Sequence, residues 1–158
     1  ALVSQSLVAK FESGRAEAPY GNAKKIFDAL EELERRTAKK VSQVMNKKII
    51  FANSSSNVSD AVDEMRRHKI SQLPVFSEGR PIGSISEKEV LDAINETGDA
   101  SEVFGKKVSE IMGENYPQLD EGASLRTASL LLHEHSAVVV TKNGRPTGIV
   151  TKADVLKN

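Results

Sequence analysis

Two four-residue segments carry side chains that could bind a nucleotide. Ser86-Glu-Lys-Glu89 and Thr151-Lys-Ala-Asp154 each follow a short apolar run and open a helical pattern. The N-terminus of a helix attracts phosphate, and a carboxylate three residues further on can accept hydrogen bonds from ribose hydroxyls. The same residues also form a capping box, which satisfies backbone N–H groups without any ligand. The motif by itself favours the cap, and it leaves ligand binding open as the alternative.

Other combinations of reactive side chains are missing or badly spaced. The chain has no cysteine, which excludes a disulfide framework, a cysteine zinc site and a thiol nucleophile. His133 and His135 would point to different faces of a helix, so we expect no metal site. Neither a Walker loop nor a GxGxxG motif is present. We therefore expect a protein that is not an enzyme and has no catalytic cofactor.

Composition and charge narrow the possible classes of protein further. The 158 residues are 39% hydrophobic, with 22 basic and 22 acidic side chains and a net charge of zero. Such a balance argues against nucleic-acid binding over most of the surface, although residues 1–40 are slightly basic. No apolar run is long enough to span a membrane, and no charged-then-apolar leader is visible. We expect a cytoplasmic protein with no membrane partner.

An internal repeat organises most of the chain. Val41-Ser-Gln-Val-Met45 recurs 67 residues later as Val108-Ser-Glu-Ile-Met112, and Gly79-Arg-Pro-Ile-Gly83 recurs 65 residues later as Gly144-Arg-Pro-Thr-Gly148. The difference of two residues predicts a deletion near His135–Ser136 in the second copy. Two copies of this length indicate a pseudo-symmetric pair, with a first unit at residues 41–98 and a second at residues 99–158.

Each copy combines helical and strand periodicities. An amphipathic pattern beginning at Val58 or Leu125 is followed by two apolar runs around a glycine turn, and then by the helix that opens at Ser86 or Thr151. With a further strand at residues 49–51 or 116–119, each unit is predicted to be β-α-β-β-α, in the α/β (α+β) class. Pro74 lies inside an apolar run, which predicts an edge strand or one that ends early.

Residues 1–40 lie outside the repeat and are predicted to be helical. Ser4 is a suitable N-cap for a helix over residues 5–13 that Gly14 would end. Asn22 would cap a second helix, which carries apolar side chains through Leu33 and continues as a charged linker to residue 40.

Three features of the chain occur together: the repeated segment ending at Met45, the Ile70-Ser-Gln-Leu-Pro-Val75 segment, and the two Gly-x-x-Ser/Thr-x-x-Glu/Asp motifs. In this combination the chain resembles a tandem pair of cystathionine-β-synthase (CBS) domains, which is called a Bateman module. The resemblance covers about residues 41–158. It implies two packed βαββα units whose clefts bind an adenosine compound such as AMP, ADP, ATP or S-adenosylmethionine as a regulatory ligand. The second copy keeps the aspartate that holds the ribose in this family, whereas the first copy has Glu89, so the Asp154 site is expected to be the better ribose site.

The family pattern implies two sets of ligand-binding residues. The set for the second copy is Thr151, Lys152 and Asp154, with Tyr116, Pro117, Gln118, Ser136, Ala137 and Val138 framing the base. The set for a weaker first-copy site is Ser71, Gln72, Leu73, Pro74, Ser86, Lys88 and Glu89.

The first segment resembles the latter half of a Cro/CI-type helix-turn-helix domain, beginning in the turn itself. The resemblance implies DNA contacts from Ser4, Gln5, Ser6, Lys10 and Arg15. The two preceding helices of that fold have no counterpart here, so we expect the chain to be trimmed and specific DNA binding to require the intact domain.

These expectations combine into one leading hypothesis and one alternative. The leading hypothesis is a regulatory module that binds an adenosine ligand and modulates a DNA-binding transcriptional regulator as a homodimer. The alternative is a structural dimerisation scaffold in which Ser86 and Thr151 only cap helices.

Overall fold

The computed structural model describes residues 38–157 and, within the N-terminal segment, Lys24 and Asp28, which are both helical. The chain divides into two compact units, Ala1–Lys39 and Lys40–Asn158, and the second unit contains both repeats. The predicted DNA-contacting residues and the helix over residues 5–13 lie outside the described residues.

Both repeats adopt the predicted β-α-β-β-α order. The first consists of β1 (Ala52–Asn53), α1 (Val58–His68), β2 (Gln72–Ser77), β3 (Arg80–Ser86) and α2 (Glu87–Thr97). Two short helices, α3 (Ala100–Gly105) and α4 (Val108–Ile111), lead to the second repeat. The second consists of β4 (Gln118–Asp120), α5 (Leu125–Glu134), β5 (Ala137–Lys142), β6 (Arg145–Thr151) and α6 (Lys152–Leu156). The α/β fold class is confirmed, and the first strand of each repeat begins two or three residues later than predicted.

Local sequence signals account for the boundaries of these elements. Ser86 and Thr151 are the N-caps of α2 and α6, as predicted. The hairpin between β5 and β6 turns at Asn143 and Gly144, with φ angles of 51° and 75°. Such left-handed backbone is tolerated best by asparagine and glycine. None of the helices described between residues 38 and 157 is long and apolar enough to cross a membrane.

The two repeats form two separate three-stranded sheets, in the orders β1-β2-β3 and β4-β5-β6. In each sheet the first strand is parallel to the second, and the second is antiparallel to the third. The predicted two-residue deletion is confirmed. From the start of the helix to the start of the next strand, the first repeat runs from Val58 to Gln72, whereas the second runs from Leu125 to Ala137 and is two residues shorter.

The prediction for Pro74 is wrong, because Pro74 lies within the central strand of its sheet and that strand continues to Ser77. The proline is tolerated because β1 pairs only with Val75 and Phe76 and stops short of it. In the second repeat the equivalent Val139 donates its N–H to the Pro117 carbonyl at 3.0 Å. Pro74 has no N–H to make that bond. The first sheet is therefore locally open beside Pro74.

The segment before each repeat packs into the core of the other repeat. Val41 is fully buried with Ala128, Leu132 and Val138 in the second repeat. Val108 is fully buried in the core of the first repeat. Equivalent backbone bonds hold both segments in place, from Val41 N to Ala123 O and from Val108 N to Ser56 O, each at 2.9 Å. Because each core is completed by residues from the other copy, neither repeat buries its own apolar face alone.

In each repeat, a glycine in the second strand of the hairpin leaves room for the segment that comes from the other copy. We call this reciprocal packing the exchange between the repeats. A Cβ atom at Gly148 would lie 2.6 Å from Met45 Sδ, and one at Gly83 would lie 2.8 Å from Met112 Sδ. Both distances are shorter than carbon and sulfur atoms allow. The repeated glycine of each Gly-x-x-Ser/Thr motif is therefore explained by packing between the repeats.

Candidate ligand-binding cleft

A cleft of about 690 Å³ opens where the two repeats meet. Its wall combines the end of α1 and the start of β2 from the first repeat with the end of β6 and the start of α6 from the second. The lining residues are Asn46, Lys48, Ile50, Met65, Arg66, His68, Lys69, Ile70, Ser71, Gln72, Pro74, Glu87, Tyr116, Ala137, Ile149, Thr151 and Asp154. A cleft of this volume is suited to a small organic molecule.

Thr151 and Asp154 lie at the second-repeat side of the cleft. The Thr151 N–H donates to Asp154 Oδ2 at 2.9 Å, and the Thr151 hydroxyl donates to the same oxygen at 2.7 Å. The capping arrangement that the motif favours is thus present, and the half-buried carboxylate is at the same time part of the cleft wall.

The equivalent motif of the first repeat has a different environment. The backbone N–H of Ser86 donates to Glu89 Oε2 at 2.8 Å, and the Ser86 hydroxyl donates to the same oxygen. A Cβ atom at Gly113 would lie 3.5 Å from Glu89 Oε1, so Glu89 packs against the segment leading to the second repeat. Lys88 is hydrogen-bonded to Asp92 at 2.7 Å within α2. None of Ser86, Lys88 and Glu89 lines the 690 Å³ cleft.

The predicted ligand-binding residues are grouped in the structure differently from the two sets that the family pattern implies. Ser71, Gln72 and Pro74 of the first repeat line the same cleft as Thr151 and Asp154, instead of a cleft with Ser86. The reason is the exchange between the repeats, which brings the start of β2 opposite the end of β6. Tyr116 and Ala137 also line this cleft. The remaining predicted residues do not line it: Leu73, Pro117, Gln118, Ser136, Val138 and Lys152.

The positions of three of those remaining residues have simple explanations. Leu73 and Val138 are fully buried and point into the two hydrophobic cores. Lys152 is the exposed first residue of α6, whereas its first-repeat equivalent, Glu87, lines the cleft.

Tyr116 lies at the boundary between the repeats. The residue is buried, and this burial raises the pKa of its hydroxyl, while hydrogen bonds with Ser136 and Ser84 oppose the rise. Since Ser84 belongs to β3 and Ser136 precedes β5, the hydroxyl lies close to both repeats beside the cleft. Tyr116 therefore remains protonated near neutral pH.

Several cationic lining residues were not identified from the sequence. Lys48, Arg66 and Lys69 bring basic side chains to the first-repeat side, and His68 lies beside them. The carboxylates of Glu87 and Asp154 complete the wall. The only sequence signal for Lys69 is that it and Ile70 are the two residues missing from the second copy. The first repeat thus contributes three cations and the Glu87 carboxylate to the cleft, and the second contributes the hydroxyl and carboxylate pair of Thr151 and Asp154.

A family model for the CBS domain matches this chain twice, at residues 41–96 and 108–158. The chain belongs to the CBS domain family. Tandem CBS pairs are regulatory modules that often bind adenosine ligands. The two matched CBS domains contain the two βαββα units described above.

Solved structures share this CBS-pair fold. The crystal structure of MJ1225 from Methanocaldococcus jannaschii has a TM-score of 0.66 at 23% identity, covering 81% of this chain and 51% of that one. CBSX2 of Arabidopsis thaliana, solved in complex with AMP, has a TM-score of 0.64 at 25% identity, covering 75% of this chain and 93% of that one.

The curated relatives are longer than this chain. MJ1225 is 27% identical to it over 128 residues, which are 74% of this chain and 46% of that protein. This CBS pair thus spans less than half the length of that relative.

Proposed function

We propose that this CBS pair is a regulatory sensor that binds an adenosine nucleotide in the cleft between its repeats. The observation that carries the proposal is the Thr151–Asp154 pair in the wall of that cleft. A carboxylate in this position can accept hydrogen bonds from both ribose hydroxyls, which are charge-assisted and stronger than neutral ones. The similarity to CBSX2, which was solved with AMP, supports the same ligand class.

Apolar side chains opposite this pair suit a purine base. Ile50, Ile70 and Pro74 line the first-repeat side, and the sheet beside Pro74 is locally open. Small-molecule sites commonly pair such an apolar surface with a few polar groups that set orientation. In this proposal the base rests on the first repeat while the ribose is held by the second.

A ligand held in this way contacts both repeats, which supports a role in regulation. Binding shifts a conformational equilibrium only if the ligand prefers one arrangement of the protein. We propose that the nucleotide favours one arrangement of the paired repeats, and that residues 33–41 transmit it to a DNA-reading segment. The support for that last step is the resemblance of residues 3–33 to half of a helix-turn-helix domain.

Nucleotide binding is expected to stabilise the chain against heat. At 100 times its dissociation constant, AMP should add about 2.7 kcal/mol to the free energy of unfolding, because it binds only the folded state. Differential scanning fluorimetry with AMP, and with guanosine monophosphate as a control, measures this shift. An unchanged melting temperature with AMP, ADP, ATP and S-adenosylmethionine would instead favour a structural scaffold whose motifs only cap helices.

We further propose that the chain forms a homodimer through exposed helix leucines. Leu91 of α2 is 59% exposed, Leu130 of α5 is 68% exposed, and Leu156 of α6 is 86% exposed. Leu91 and Leu156 occupy equivalent positions of the two repeats, and α5 packs beside α6. A contiguous patch of large exposed leucines is typical of a surface that becomes covered, and in this proposal the three leucines form such a patch.

Charged substitutions test this dimer. We expect light scattering at micromolar concentration to report a dimer for the unmodified chain and a monomer for the Leu91→Lys/Leu130→Lys variant. Ile82→Lys is the matched control, because Ile82 is 40% exposed but lies on strand β3. A Leu91→Lys/Leu130→Lys protein that stays dimeric would contradict the assignment of this surface.

A further inference from the structure

We infer that the cleft selects adenosine nucleotides with two or three phosphates over AMP and S-adenosylmethionine, through Lys48 and Lys69. The inference rests on the proposed function, since it concerns the ligand class of the same cleft. The observation that supports the inference is a structural feature that the first repeat has and the second lacks.

That feature is the two-residue insertion between α1 and β2. Lys69 and Ile70 have no counterpart in the second repeat, and both line the cleft. The Lys69 backbone has a φ of 53°, a left-handed conformation that non-glycine residues seldom adopt. Two backbone bonds hold it, from Lys69 N to Arg66 O at 3.3 Å and from Ile70 N to Met65 O at 3.0 Å. The insertion therefore presents a lysine to the cleft from a defined turn.

Among the described residues, the two lysines that line the cleft near this turn, Lys48 and Lys69, differ from other lysines in their lack of an acidic partner. Within residues 38–157, neither Lys48 nor Lys69 forms an ion pair, although other lysines in this part of the chain do. Lys88 pairs with Asp92 at 2.7 Å, and Lys142 pairs with Glu121 at 2.6 Å. The ammonium groups of Lys48 and Lys69 are thus available to an anionic ligand.

Arg66 adds a third cation that is only loosely held. Its Nη1 atom lies 3.4 Å from Asp63 Oδ1, and both side chains are well exposed. An exposed pair of this kind is weak and is readily exchanged for a better anion. The phosphate end of a nucleotide would meet three cations at the first-repeat side, while Thr151 and Asp154 lie at the other side.

This arrangement discriminates by ligand charge. Each additional phosphate brings further negative charge toward Lys48, Lys69 and Arg66, so affinity should rise from AMP to ADP and ATP. S-adenosylmethionine has no phosphate, and its sulfonium and ammonium groups outweigh its single carboxylate, so its net charge is positive and the same cations disfavour it. Because the lysines are exposed, added salt should weaken the preference.

Isothermal titration calorimetry on the chain of residues 1–158 tests the inference, using AMP, ADP, ATP and S-adenosylmethionine without divalent cations. ATP is expected to bind about tenfold more tightly than AMP at 50 mM KCl, with a smaller ratio at 300 mM. Lys48→Gln and Lys69→Asn should each weaken ATP about tenfold and change AMP less than twofold. Asparagine tolerates the left-handed backbone at position 69, and Lys47→Gln is the control because Lys47 is exposed but outside the cleft.

The outcomes separate this inference from the function on which it rests. Equal affinities for AMP and ATP, tighter binding of S-adenosylmethionine, or equal weakening of AMP and ATP by the lysine variants would overturn the inference and leave the nucleotide sensor intact. Binding of none of the four compounds would overturn both.

Discussion

Asp154→Ala is expected to raise the dissociation constant for AMP about 100-fold, whereas Glu89→Ala should change it less than twofold. The Asp154 carboxylate lines the cleft, and in the proposed complex it accepts two hydrogen bonds from ribose hydroxyls. Hydrogen bonds to a charged group contribute about 1.5 kcal/mol or more each, and a loss of about 3 kcal/mol corresponds to roughly 100-fold in affinity. Titration calorimetry with AMP measures the change.

Glu89→Ala is a closely matched control. Both carboxylates accept the N–H of their own N-cap residue, at 2.9 Å for Asp154 and 2.8 Å for Glu89. Each alanine variant therefore loses a capping box worth about 1 kcal/mol of stability. Only the Asp154 variant loses a group that lines the cleft. If both variants bind AMP equally well, Asp154 does not hold the ribose and the assignment fails.

Gly148→Ala is expected to lower the free energy of unfolding by about 1–3 kcal/mol, as overpacking of a filled core does. The new Cβ atom would lie 2.6 Å from Met45 Sδ, 2.9 Å from Met45 Cγ and 3.0 Å from the Asn46 carbonyl oxygen. The methionine can rotate away, but the backbone carbonyl is held by the bond from Ile149 N to Asn46 O at 3.0 Å. Urea denaturation followed by circular dichroism measures the loss.

Two further variants isolate the cause of that loss. A Cβ atom at Gly105, the last residue of α3, would have no neighbour within 4 Å, so Gly105→Ala should cost nothing or stabilise slightly. Met45→Ala combined with Gly148→Ala should destabilise less than the sum of the two single changes, because the shortened side chain removes the closest contact. A purely additive double variant would show that the contact with Met45 is not the source of the strain.

Much of this fold was predictable from the sequence because its signals are local and occur twice. The amphipathic pattern starting at Val58 recurs at Leu125, and the glycine turns and N-cap residues recur in the same order. Helix caps and hairpin turns depend on residues only a few positions apart, so a chain can be divided into elements without knowing its tertiary structure. The two-residue deletion before Ser136 was visible for the same reason.

The position of Pro74 in its sheet could not be predicted from the local sequence. A proline cannot donate a ladder hydrogen bond, which is why an edge position was expected. Whether a neighbouring strand needs that bond depends on where the neighbour ends. Only the structure shows that β1 pairs with Val75 and Phe76 and stops short of the proline.

The repeat, the order of elements, the family and the two capped motifs could all be read from the order of residues. Which segments of the two copies meet follows only from the folded chain. Val41 and Val108 each complete the core of the other copy, and Ser71 lies in the cleft of Thr151 instead of Ser86. In a pseudo-symmetric pair, a segment has nearly the same apolar pattern whether it packs on its own copy or on the other. The choice depends on the contacts of Met45 and Met112 with glycines far along the chain, which no local pattern encodes.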